Sequence, residues 1–348
     1  MIIYIIGSTN RPSGGTKVMH QIANLFIEKG YKSYVVVEDD SECTFLCHPA
    51  PSLSFQDFEK QIKAEDITIT FWTSRKIVES IDKKINYKRI LWYHGASLPT
   101  GKNALGEYSF SKESPFTQFW NVSKVCAEYL EQKYSLSKKM GIVYPFFDTE
   151  EIQKHQNDVD KYKRNGILML ARRGKKYIDL VKKKIGYKTK ITILEPPYHE
   201  EEFFNLLLKH KFFVSVDPGV DNFISINRIF KNGIKCAIDS DFRTKYVNRH
   251  KWIVPEGHLL GFPMPPIEAA LLGCTVIGFA MGGGLEWMNT GNCFLAHDRD
   301  KKSLLDNIQK ALGADETTLE MKRQSAYEST QKFTREHTWV QLSNLLNL

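Results

Sequence analysis

The sequence predicts an α/β protein built from two Rossmann-like halves, and three observations carry that expectation. Short apolar runs alternate with helix-period segments along most of the 348 residues, the order that builds a parallel sheet covered by helices. The alternation breaks once, at Tyr144-Pro145-Phe146-Phe147-Asp148 and the polar stretch 149–164, and then begins again. A chain of this length also exceeds what one core serves well, so two domains of about 150–200 residues are expected.

The first series opens with Ile2–Ile6, whose unbroken apolar character suits a strand buried on both faces. Met1–Gly7 carries no basic leader and reads as that strand, not as a signal peptide. Thr16–Lys29 places Val18, Ile22, Leu25 and Phe26 on one helical face and stops at Gly30. Strands are expected at Tyr34–Val37, Ile67–Trp72, Arg89–Tyr93, Phe119–Val122 and Ile142–Val143, with a helix over Ser123–Tyr134. The second series runs strand Ile167–Leu170, helix Lys175–Lys184, strand Thr189–Leu194, helix His199–Lys209 and strand Phe212–Val216. A helix over Lys301–Leu312 follows, and from Thr317 the chain is expected to be helical to its end. The inter-domain linker is expected in the break after Tyr144.

Composition narrows the class. Hydrophobic content of 42% and charged content of 25% are those of a soluble globular protein, and no apolar run reaches the roughly 20 residues of a membrane span. Six scattered cysteines make no disulfide framework or zinc site, which suits free thiols in the cytoplasm. Residues 1–150 hold 18 Lys/Arg against 17 Asp/Glu, whereas the remainder holds 30 against 23. The basic excess of the second half fits an anionic ligand, acidic lipid headgroups or a solvated face. Dispersed charge without an aromatic–basic motif argues against nucleic acid.

Chemistry concentrates between Leu260 and Glu286. Leu260-Gly261-Phe262-Pro263-Met264-Pro265-Pro266-Ile267-Glu268 is a tight loop followed by a helix opening near Pro266. Gly273-Cys274-Thr275-Val276-Ile277-Gly278-Phe279 follows as a short β-branched strand, and a second loop, Gly282-Gly283-Gly284-Leu285-Glu286, leads toward another helix. Two helix N-termini aimed into one crevice make an anion site. An acid one turn inside the first, Glu268, is placed for ribose hydroxyls. Together they suggest a nucleoside diphosphate.

The segment resembles the donor-site signature of retaining, family-4-like glycosyltransferases of the GT-B fold, E-G-F-G-L-P-x-x-E-A-x-x-x-G followed by a Gly-Gly loop. Gly261, Phe262, Pro265, Glu268, Ala269, Gly273, Gly283, Gly284 and Glu286 fall on that pattern. The first Glu does not: its place is taken by Leu260, the nearest acid is Glu256, and about 40 unusual residues (217–255) precede the motif. The resemblance implies a GT-B fold with an acceptor domain over 1–148 and a nucleotide-sugar donor domain over 149–333. It also implies a last helix within 334–348 that crosses back onto the first domain. Pro265, Ile267 and Glu268 are expected at the nucleotide, and Gly282, Gly283, Gly284 and Leu285 at the donor sugar and diphosphate. The Gly14-Gly15 turn, with Thr16 able to cap the helix, is where the resemblance brings the first domain against the diphosphate; a plain βα turn is the alternative.

Arg172, Arg173, Lys175 and Lys176 follow the strand Ile167–Leu170 at its carboxyl end, where open sheets place ligands. A fork donor and a point charge there would meet the charge growing on a departing diphosphate. Arg172 and Lys176 match the resemblance best, with Arg173 and Lys175 as rivals in register. His94, after the strand ending at Tyr93, is a candidate donor to a sugar hydroxyl or phosphate, or a core histidine. Glu256 is the candidate replacement for the missing first Glu. Ser123 reads as an N-cap.

The expected reaction is transfer of a sugar from a UDP- or GDP-linked donor to a saccharide or lipid-linked acceptor, without metal or cofactor. Retention rests on the resemblance, as does a setting in surface polysaccharide or glycolipid assembly, in the cytoplasm or on the inner face of the plasma membrane. A transferase-like scaffold that has lost activity and a nucleotide-sugar epimerase of the same architecture are the competing readings.

Overall fold

The computed structural model describes residues 1–71, 87–95, 114–134, 136, 139–171, 174–216 and 261–348. They form two parallel sheets, each flanked by helices. In the first sheet β1 (Ile2–Gly7), β2 (Lys32–Val37), β3 (Ser52–Ser54), β4 (Ile67–Thr70), β5 (Lys88–Tyr93), β6 (Gln118–Asn121) and β7 (Gly141–Ile142) run in the order 3-2-1-4-5-6-7. In the second, β8 (Ile167–Leu170), β9 (Ile191–Leu194), β10 (Phe212–Ser215), β11 (Thr275–Phe279) and β12 (Phe294–Ala296) run 12-11-10-8-9. The α/β class expected from sequence is what the molecule has.

Strand order fixes where a ligand can sit. The chain reverses its direction of winding between β1 and β4 in one sheet and between β8 and β10 in the other. Connections from neighbouring strands leave in opposite directions there, so a crevice opens beyond the carboxyl ends. The loops after β1 and β8 border these two switch points.

Helix α1 (Gly14–Glu28) covers the first sheet with Val18, Ile22, Leu25 and Phe26 buried. Burial of each such side chain contributes about 1.5–3 kcal/mol. Helices α2 (Phe55–Gln61) and α3 (Lys124–Tyr134) complete the described helices of this domain. The polar stretch after Tyr144 is not structureless: it carries α4 (Glu150–Gln156), capped by Thr149, with Glu150 and Glu151 in its first turn and Lys154 and His155 in its last. In the second domain α5 (Lys175–Ile185), α6 (Glu200–Lys209), α7 (Met264–Leu271), α8 (Lys301–Gly313) and α9 (Glu316–Thr330) surround the sheet.

The chain beyond Thr317 is not one helix. It breaks at 331–334, where Phe333 is buried, and restarts as α10 (Arg335–Leu346), capped by Thr334. This last helix packs on the first domain. Trp339 meets Phe26 and Tyr31, Arg335 pairs with Glu28 at 2.8 Å, and Lys88 donates to the carbonyl of Leu346. The two passages between domains run side by side, with the amide of Phe147 donating to the carbonyl of Phe333. A single apolar cluster runs through both halves, joining Ile3, Trp92 and Phe147 to Leu168, Phe204 and Ile267.

Candidate functional site

Three helix N-termini, those of α1, α6 and α7, converge between the domains. A cleft of about 210 Å³ lies among them, lined by Ser13, Gly14, Lys17, Pro196, Tyr198, Glu200, Met264, Pro265 and Glu268. The N-terminus of α1 is built by Ser13, not Thr16. The Ser13 hydroxyl accepts from the Thr16 amide at 2.9 Å, while Thr16 donates its own hydroxyl to the Arg11 carbonyl. Gly14 and Gly15 are therefore the first two residues of the helix. A Cβ on Gly15 would lie 3.6 Å from Nδ1 of His94, so the turn also faces that ring.

Glu268 is buried, 3% exposed, one turn into α7. Its Oε1 receives the Lys17 ammonium at 2.5 Å, and the same ammonium is paired with Glu200, the first residue of α6. One lysine of the first domain thus bridges two carboxylates of the second, with the Phe204 ring 4.9 Å beneath it. Burial works against the charge on Lys17, but Glu268 and Glu200 outweigh it and raise its pKa. Burial raises the pKa of Glu268, and Lys17 offsets part of that. The junction is extended by the Glu200 amide, which donates to the Phe45 carbonyl, and by the Cys47 amide, which reaches Glu200 Oε2.

The two halves of the sequence motif interlock. The Gly283 amide donates to the Gly261 carbonyl at 2.7 Å, and a Cβ on Gly283 would strike the Phe262 ring. Phe262 in turn packs on Tyr144, Phe147 and Phe333. Gly261 lies against the other domain: a Cβ there would fall 1.6 Å from the His94 carbonyl oxygen. Only a residue without a side chain allows that approach.

The second loop does not open a helix. Gly282–Glu286 is a single 3-10 turn ending at Trp287, because Glu286 is drawn across to the first domain. Its Oε1 accepts the Ser123 hydroxyl at 2.5 Å and the Val125 amide at 3.3 Å, and its Oε2 accepts the Tyr144 hydroxyl. Burial, and then Glu286, push the Tyr144 pKa upward, so this phenol stays a donor. Ser123 caps α3 by accepting from the Cys126 amide, as its position suggested. Leu285 is 44% exposed.

His94 packs on Phe71 and Trp92, and burial lowers its pKa to about 3. It is neutral at physiological pH. Its buried Nε2 makes no hydrogen bond to a described residue. Lys176, in the first turn of α5 after β8, is half-buried with its ammonium 5.0 Å over the Tyr177 ring. Lys175 is exposed and pairs with Asp179 at 3.6 Å. Pro265 lines the cleft and Ile267 is fully buried. Arg172, Arg173 and Glu256 lie outside the described residues, as do Leu260 and the segment 217–255. The structure thus brings Gly14, Gly15, His94, Gly261, Pro265 and Glu268 to one junction. Lys17 and Glu200 join it without a sequence signal, apart from a lysine set against the dipole in the first turn of α1; Tyr144 joins Glu286 instead.

Among the described residues no cluster of His, Cys, Asp or Glu could hold a metal ion, and no helix is long and apolar enough to cross a membrane. No protein-family model and no curated protein matches the chain. Solved structures do. Anabaena HepE in complex with UDP and glucose matches at TM-score 0.63 and 13% identity, over 100% of this chain and 99% of that one. A mutant of S. aureus TarM in complex with fondaparinux, alpha-GlcNAc-glycerol and UDP matches at TM-score 0.69 and 9% identity, over 100% of both chains. Sucrose-phosphate synthase from Thermosynechococcus elongatus matches at TM-score 0.64 and 13% identity, over 99% and 98%. The architecture is therefore that of the GT-B glycosyltransferases: two Rossmann-like domains facing each other across a cleft.

Proposed function

We propose that the chain is a glycosyltransferase that moves a sugar from a nucleoside-diphosphate donor to an acceptor hydroxyl with retention of configuration. The observation that carries this reading is Glu268, a buried carboxylate one turn inside α7, where three helix N-termini and both domains meet. The second domain would hold the nucleotide, with Glu268 accepting the two ribose hydroxyls. Helix N-termini, Lys176 and the sequence-assigned Arg172 would meet the diphosphate without a metal. The UDP in the HepE and TarM complexes is consistent with a UDP-linked donor. The first domain would hold a saccharide or lipid-linked acceptor.

In the proposed step the bond between the sugar C1 and the diphosphate oxygen breaks, and the acceptor oxygen bonds C1 on the same face. The acceptor's proton passes to the departing phosphate oxygen. No protein nucleophile is required. His94, neutral and half-buried, would serve as a hydrogen-bond donor to sugar or phosphate, not as a cation. Glu256 remains the sequence candidate for holding the donor sugar.

A thermal-shift screen of UDP, GDP, ADP, CMP and dTDP species tests the reading first. The right nucleotide at a hundred times its Kd should stabilise the protein by about 2.7 kcal/mol. Glu268→Ala should then lower kcat/KM for sugar transfer by at least about 100-fold, the loss of two hydrogen bonds to a charged acceptor. A protein that ignores all five nucleotides sinks the proposal.

Association with an acidic membrane surface belongs to the same proposal. It is supported by Lys182, Lys183, Lys184, Lys188 and Lys190, all exposed, around Tyr187, which is 77% exposed. They lie at the end of α5 and the start of the edge strand β9. Co-sedimentation with anionic vesicles that is lost in high salt is the expected result.

A further inference from the structure

A lysine at the position of Lys17 is costly unless something requires it. It lies in the first turns of α1, where the helix dipole disfavours a cation, and its side chain is only 10% exposed. Both of its carboxylate partners, Glu200 and Glu268, belong to the other domain. Opening the cleft would strip it of both.

We propose that Lys17 is a positioning residue for donor binding: it holds Glu268 ionised between the closed domains, so that ribose capture and closure are one event. This rests on the reading of Glu268 as the ribose acceptor. Among the described residues the charged groups facing Glu268 are Lys17 from α1 and Glu200 from α6. Without the ammonium, a buried carboxyl beside a second carboxylate takes up a proton. A protonated carboxyl cannot accept from both hydroxyls of a ribose. With it, Glu268 stays an acceptor, and its Oε2 is left for the ligand while Oε1 is held by Lys17.

The test is calorimetric titration of UDP and GDP into wild type, Glu268→Gln, Lys17→Met and Lys17→Met/Glu200→Gln between pH 6 and 8.5. Wild type should bind with a profile set by the nucleotide's own terminal phosphate, whose second pKa lies at about 6, and Glu268→Gln should follow it at least tenfold more weakly at every pH. Lys17→Met should bind at least tenfold more weakly at pH 6 and recover as pH rises. Removing the second carboxylate in the double variant should shift that recovery to lower pH. Lys17→Met binding as tightly as wild type, or equally weakly at all pH values, overturns the role given to Lys17 while leaving Glu268 intact. Wild type that binds neither nucleotide, or Glu268→Gln that binds as well as wild type, takes down the functional reading as well. Should Lys17→Met fail to fold, wild type alone decides through pulse acetylation read by mass spectrometry. Lys17 should react at least tenfold more slowly than Lys183, and more slowly still with saturating UDP or GDP. Equal reactivity of the two lysines overturns the inference.

Discussion

Glu268 and Glu286 stand at opposite ends of one sequence motif, and each reaches across to the first domain, but they meet different chemistry there. Glu268 is met by a charge, the Lys17 ammonium, in the wall of the cleft. Glu286 is met by neutral donors, the Ser123 and Tyr144 hydroxyls and the Val125 amide, close to where the chain passes between domains. A carboxylate held by a cation through one oxygen keeps its charge and offers the other oxygen to an incoming polyhydroxyl ligand. Neutral donors aimed at a carboxylate give a ligand no comparable foothold. The cleft wall is thus built to respond, and the junction near the passage is built to stay.

The comparison breaks most visibly at Lys17. Lys17→Met leaves a buried carboxylate, Glu268, and a half-buried one, Glu200, without a counter-charge and should cost about 3–5 kcal/mol in urea unfolding. Glu286→Gln keeps one acceptor oxygen and should cost about 1.5–3 kcal/mol in the same experiment. A larger loss at Glu286 than at Lys17 would invert the ranking. Gly261→Ala sharpens the geometry between the two sites: its methyl cannot coexist with the His94 carbonyl. A cost of about 1–3 kcal/mol is expected, with a larger radius of gyration by solution scattering.

The smallest effect is a slope with pH. Burial lowers His94 to about 3 and His20 to about 4, from an ordinary value near 6.5. The unfolded chain therefore binds more protons than the folded one below about pH 6.5, so stability is full above that pH and falls below it. Each imidazole contributes at most about 1.4 kcal/mol per pH unit until its folded pKa is reached. His94→Phe should flatten the acid limb of unfolding measured from pH 7 to 5, and an unchanged slope would show that His94 is solvated.

The legible parts of the molecule were those governed by local pattern. Ile2–Ile6 reads as a buried strand from its unbroken apolar run and the segment Gly273–Phe279 as a short strand from its β-branched residues, and the molecule has β1 and β11 there. The motif from Gly261 to Glu286 was visible because close backbone approach demands glycine, as the contacts of Gly261 and Gly283 explain. Two three-residue strands, β3 and β12, are too short for periodicity to mark. Helix α4 buries only Ile152 and His155, so its charge hid it, although Thr149 and the two glutamates after it form a legible start. The pairs Lys17–Glu268 and Ser123–Glu286 span 251 and 163 residues. No window of sequence contains both partners of either pair.

The side-by-side passage at Phe147 and Phe333 has a mechanical consequence. Two passages of one chain tied by a main-chain hydrogen bond would act as a door on two pins, permitting swing about a single line and resisting twist. A spin label on each domain, placed far from that line, should report one varying separation, while a pair beside it should report none.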